Sequence, residues 1–170
     1  MKLVLPLVAI TAVLTLGGCA ASIPAYVAPT GDATTTLEVV KSRTADRLNG
    51  AGYAVFTDQD CMDGGQLSWM TWATAQSRQT RIPVGVPVYV HAVIHRSSPY
   101  SSSSSCVNLV RFTPATGQAY RAEQVTNGRF CQIEITEVAT GRPVDLAKEV
   151  AGGPRCEQVL GSRRITGEYN

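Results

Sequence analysis

From Val84 to Ile94 the chain alternates with a period of two. Val84, Val86, Val88, Val90, Ala92 and Ile94 fall on one face of an extended backbone, with Gly85, Pro87, Tyr89, His91, Val93 and His95 on the other. In a helix, positions that share a face recur every three or four residues, so this stretch commits the chain to β-structure. Pro87 lacks the N–H that a central ladder needs, which points to an edge strand or a bulge. Cys131, Ile133 and Ile135 alternate in the same way with Gln132, Glu134 and Thr136. Further strand candidates lie at 37–42, 52–57, 67–73, 106–113 and 119–125. Asn127-Gly128 between β-compatible runs favours the positive φ of a tight hairpin. Pro114-Ala115-Thr116-Gly117 reads as the turn joining the strands at 106–113 and 119–125. Only 42–50 and 144–150 have a helical look, and both are short.

The N-terminus follows different rules. Met1 and Lys2 make a positive start, and residues 3–16 carry no charge. Such a run is too short for a transmembrane helix, which needs about 20 residues. It fits the apolar region of a secretory signal. The four residues Leu16-Gly17-Gly18-Cys19 then resemble, position by position, the signal of bacterial lipoproteins. That resemblance implies that the Cys19 thiol is diacylated and that a dedicated peptidase cuts just before it, leaving residues 1–18 as a signal peptide. Each buried acyl methylene contributes about 0.8 kcal/mol, so two or more chains resist release. Ala20 comes next, where an Asp favours inner-membrane retention in enterobacterial lipoproteins. The resemblance therefore implies an outer-membrane anchor, with the domain facing the periplasm.

Export changes the meaning of the remaining cysteines. Cys61, Cys106, Cys131 and Cys156 form an even set, separated by 45, 25 and 25 residues. Zinc ligation would want short paired spacings such as C-x2-C. An oxidising compartment instead makes two disulfides the expectation. Three connectivities are open to four cysteines; the one expected here is Cys61–Cys106 with Cys131–Cys156. The second bridge would pin the C-terminal tail, 151–170, to the domain. An apolar content of 44% with only 6% aromatics suits a modest core stapled in this way.

About seven strands with regular turn signals define the fold class as all-β. The expectation is a single small β-sandwich of antiparallel strands, immunoglobulin- or transthyretin-like and disulfide-stapled, over residues 37–150. Residues 19–36 are small, polar, Pro-containing and aperiodic, which reads as a lipidated N-terminus followed by a flexible linker. Fully extended, that linker would reach at most about 55 Å from the lipid. The second half, with Phe112-Thr113-Pro114, Gly117, Tyr120, Cys131 and Thr140-Gly141-Arg142-Pro143-Val144, resembles small bacterial lipoproteins with no assigned activity.

Composition and spacing narrow the chemistry. Fifteen basic against 13 acidic side chains leave a net charge of +2 with no basic stripe, so no nucleic-acid partner is expected. His91 and His95 are spaced i, i+4, but in a strand they stand about 13 Å apart on one face, too far to share an ion. They read as two exposed polar positions on a sheet face. Asp58, Asp60 and Asp63 before Gly64-Gly65 resemble a calcium loop, but the third Asp comes one residue late. The glycine falls at the seventh position and Trp69 at the twelfth, so an acidic turn beside a bridged Cys61 is the better reading. Ser68 lacks the flanking glycines of a nucleophile elbow. With four bridged thiols, two histidines and no carboxylates expected to cluster on one face, no catalytic residue, metal or cofactor is expected.

Recognition has more candidates. Ser97-Ser98-Pro99-Tyr100 and the serines from 101 to 105 cannot bury apolar area and read as a mobile loop, with Tyr100 as its aromatic contact. Trp69 and Trp72 read as core residues, with a stacking platform as the alternative. The expected protein is a membrane-anchored, non-catalytic lipoprotein with structural or protein-interaction roles in the cell envelope. Its partners would be the membrane, through acyl chains, and an envelope protein. The alternative is a periplasmic ligand-binding or enzyme-inhibitor module using Tyr100, Trp69 and Trp72, with a hydrolase third.

Overall fold

A computed structural model describes residues 23–42, 49–71, 73–74, 76–97, 103–127, 130–148 and 156. Among them run β1 (Thr34–Val40), β2 (Asn49–Phe56), β3 (Gly64–Met70), β4 (Ser77–Pro83), β5 (Val88–Arg96), β6 (Ser104–Phe112), β7 (Ala119–Asn127), β8 (Phe130–Glu137) and β9 (Ala147–Lys148). They form two sheets, ordered β4-β1-β7-β8 and β3-β2-β5-β6-β9, packed face to face as a β-sandwich. The expected all-β sandwich is what the chain builds, with more strands than the alternation announced. The pairing of β1 with β7 is parallel, and the other strand pairs are antiparallel.

The main core lies between the sheets. Leu37, Val39, Ile82, Tyr120, Ala122, Ile133 and Ile135 point inward from the four-stranded sheet. They meet Ala51, Tyr53, Val55, Val88, Val90, Ala92, Ile94 and Phe112 from the five-stranded one. Phe112 and Tyr120 pack edge to face across the sandwich, centroids 5.1 Å apart, an arrangement that aromatic quadrupoles favour. A second, smaller core covers the outer face of the five-stranded sheet. There Ala54, Phe56, Tyr89, Val93, Val107 and Leu109 pack with Cys61, Cys156 and Ile23.

Several expectations change at this level. β5 is a central strand between β2 and β6, buried on both faces, and Pro87 stands just before it rather than in an edge strand or bulge. Val84 and Val86 belong to the preceding turn. β4 was not legible because Ile82 is its one buried side chain, as suits an edge strand carrying Arg78, Arg81 and Pro83. Of the two helical candidates, 144–150 instead supplies β9 at Ala147–Lys148, paired with Val110 and Arg111, while residues 149 and 150 lie outside the described residues. In the other, residues 43–48 lie outside the described residues and Asn49-Gly50 open β2. The hairpin expected at Asn127 joins β7 to β8, with Asn127 opposite Phe130.

The disulfides also differ from the expected pairing. Cys106 of β6 bonds Cys131 of β8, Cα atoms 6.2 Å apart, tying the two sheets together through the main core. Cys61 bonds Cys156, Cα atoms 4.8 Å apart and 95 residues distant in sequence, over the second core. Cys131 faces inward on β8, whereas Cys156 sits on the outer face of the opposite sheet, so the expected Cys131–Cys156 bridge would have to cross a sheet.

The stretch read as linker is docked from residue 23 onward. Pro24 and Tyr26 hydrogen-bond both sides of Gln66, at 2.7 and 2.9 Å, covering the free edge of β3. Gly65 makes this possible, since a Cβ there would stand 2.4 Å from the Pro24 carbonyl oxygen. Ile23 joins the second core and Tyr26 packs against the main one. Thr34–Thr36 already belong to β1.

Candidate functional site

The outer face of the five-stranded sheet carries an aromatic platform. Gly50 and Gly52, two apart on β2, both lack side chains on this face, and β3 places Trp69 directly opposite Gly52. The indole lies over the groove they leave. A Cβ on Gly50 would stand 2.7 Å from its Cζ2, and one on Gly52 2.7 Å from its Cε3. One ring face is therefore seated on backbone while 43% of the residue remains exposed. Trp69 is not a core residue, contrary to the expectation; the platform alternative describes its surroundings better. Val93 closes one side of the seat, and His95 pairs across from Gly50.

The signal for this platform was present in the sequence as two glycines at i and i+2 on one face of a strand. Gly52→Val should displace the indole and cost about 1–3 kcal/mol, as overpacking a close contact does. Acrylamide quenching of tryptophan emission should rise in that variant; unchanged quenching and stability would show the seat to be inconsequential.

Trp72 and Tyr100 lie outside the described residues. The described residues that flank them, Thr71 and Ala73 in one case and Ser97 and Ser103 in the other, adjoin the strand ends nearest Trp69. Pairings of Ala51 with Met70, Asn49 with Arg96 and Arg96 with Ser104 put the end of β3, the start of β2, the end of β5 and the start of β6 at one end of the sheet. Cys19 also lies outside the described residues, four positions before Ile23.

The polar candidates resolve differently. His91 is buried on the outer face of β5 among the second core, not exposed, because that face has a covering layer of its own. Its setting within the nearly continuous apolar run Val88–Ile94 was the available signal, since such runs mark strands buried on both faces. The Asp58 carboxylate caps its own loop, accepting the backbone N–H groups of Asp60 at 2.8 Å, Met62 at 3.1 Å and Asp63 at 2.6 Å. Asp63 accepts the Thr57 hydroxyl. These bonds, with Cys61 in the left-handed region at φ 57°, make 58–63 a self-satisfied acidic turn beside a disulfide.

One cluster of charged side chains has no counterpart in the local sequence. Glu38, Arg121, Glu123 and Glu134 share the outer face of the four-stranded sheet, along a concavity of about 540 Å³. Glu123 stands directly opposite Glu134, and Arg121 pairs with Glu38 at 2.9 Å. The polar faces of three strands meeting in register produce this grouping, and register is not written in any one of them. Among the described residues no three His, Cys, Asp or Glu side chains are grouped to hold a metal ion, and no helix is long and apolar enough to cross a membrane. No protein-family model, curated protein or solved structure matches the chain.

Proposed function

We propose that this protein is an acyl-anchored lipoprotein of the outer membrane whose sandwich works without catalysis, by contact with another envelope protein around Trp69. The observation that carries the reading is the exposed indole held flat on Gly50 and Gly52. A rigid aromatic with one face pre-seated loses little side-chain freedom on binding, and exposed tryptophans are favoured anchors of interfaces. Cys19 supplies the address, with the domain held on the periplasmic side.

Two measurements test this. A photo-crosslinking phenylalanine analogue at position 69 should capture a discrete protein adduct in intact cells, whereas the same analogue at Gln132, on the other sheet, should not. Equal capture at both positions, or none at 69, would refute the contact surface. Cys19→Ser should abolish fatty-acid incorporation and move the protein into the soluble fraction; persistent lipid labelling of that variant would sink the anchor.

A further inference from the structure

We infer that one corner of the sandwich, built by Val27, Met62 and Val86, rests directly on the lipid leaflet and points the Trp69 end away from it. The inference rests on the reading of Cys19 as the acylated residue. Only Ala20, Ala21 and Ser22 separate Cys19 from Ile23, which is packed into the second core. Four residue steps span at most about 14 Å even when fully extended. The anchor is thus a short tether, and whatever surface surrounds Ile23 is held within reach of the bilayer.

That surface is apolar where proximity requires it to be. Val27 is 85% exposed, Met62 61% and Val86 45%. All three line one groove of about 810 Å³, with Pro24, Pro29 and Pro83 among its other walls. The groove is made of the docked N-terminal segment, the 57–64 turn and the turn after β4, so it adjoins the point where the chain leaves toward Cys19. Asp63 is the charged residue among those lining it, and its carboxylate is engaged by Thr57. Burial, with Asp63 nearby, pushes the Tyr26 phenol in the same groove up to about 12, so it stays neutral. With no basic side chain among the described residues that line it, the corner suits the apolar boundary beneath zwitterionic headgroups. The turn after β4 leads into the start of β5, whereas Trp69 lies beside its far end. Seating this corner on lipid therefore presents the aromatic platform toward the periplasm.

The test uses the full chain extracted from membranes, its acylation read by mass spectrometry, and phosphatidylcholine vesicles with brominated acyl chains. Val86→Trp adds a reporter in the corner and Gln132→Trp a reference on the far sheet; emission of the parent protein is subtracted. The Val86→Trp emission should fall by about half in brominated vesicles, as for a side chain 5–10 Å into the headgroup–acyl boundary, and should be insensitive to salt. Peroxide oxidation of Met62 in the unaltered protein should slow several-fold on vesicles relative to soluble Cys19→Ser, with buried Met70 as internal reference. Acylated protein in which Val86→Trp is quenched no more than Gln132→Trp, and Met62 is not protected, would overturn the apposition while leaving the anchor intact. Absence of an acyl mass would overturn both.

Discussion

Replacing Cys61 and Cys156 together by alanine should lower the unfolding free energy by about 4–5 kcal/mol, the largest single effect expected in this protein. The bridge closes a loop of 95 residues, and loop-closure entropy removed from the unfolded chain grows with the logarithm of that length. The same treatment gives about 3.5 kcal/mol for Cys106–Cys131, whose partners are 25 residues apart. Location adds to the difference. Cys61–Cys156 lies over Phe56, Tyr89, Val93, Val107 and Leu109, so its removal loosens the cover of an apolar face that water would otherwise meet. Urea unfolding should show the lower midpoint, and the variant should bind an apolar dye more strongly. Equal stability of the two double variants would refute the ranking. Peptide mapping without reduction should recover Cys61 linked to Cys156.

Tyr53→Phe should cost about 1–3 kcal/mol although it removes one atom, because it strands a buried N–H and a half-buried carbonyl. The Tyr53 hydroxyl reaches across the core from β2, donating to the Val40 carbonyl at 2.9 Å and accepting the Gln124 N–H at 2.8 Å. The last rung of the β1–β7 pairing is Val40 with Glu123, so the hydroxyl caps the ladder where the strands part. Burial pushes the Tyr53 phenol up; the Gln124 N–H offsets this in part, and the charge of Glu123 adds to it. The folded state therefore holds this proton more tightly than the unfolded chain, whose phenol titrates at 10.0. Its contribution is complete below that value and is lost as the pH climbs toward the raised native one. Wild-type protein should lose more stability than Tyr53→Phe between about pH 8 and about pH 11. Parallel losses in both would show that this hydroxyl does not cap the core.

What could be read in advance follows from which forces are local. Alternation along Val88–Ile94 and Cys131–Ile135 marks inner-face residues because a strand turns alternate side chains to opposite sides whatever it pairs with. Asn127 announces its hairpin because turn chemistry needs only the residues of the turn. β4 escaped notice because an edge strand buries one side chain, Ile82, and needs no alternation to be held by β1. Trp69 looked like core because tryptophan is mostly buried, and the seat that leaves it half in water belongs to a different strand. His91 looked exposed because its covering layer, with Ile23 and Cys156, comes from both ends of the chain.

The sequence by itself determined that the chain is a β-protein and that it carries an even set of cysteines beyond Cys19. Each of these depends on neighbours in the chain. Tertiary structure alone decided that Cys61 finds Cys156 and Cys106 finds Cys131, that Gly50 and Gly52 seat Trp69, and that the segment from Ile23 is docked. Those are outcomes of register and of sheet order, and both are set by the summed burial of two faces, which no short stretch of sequence contains.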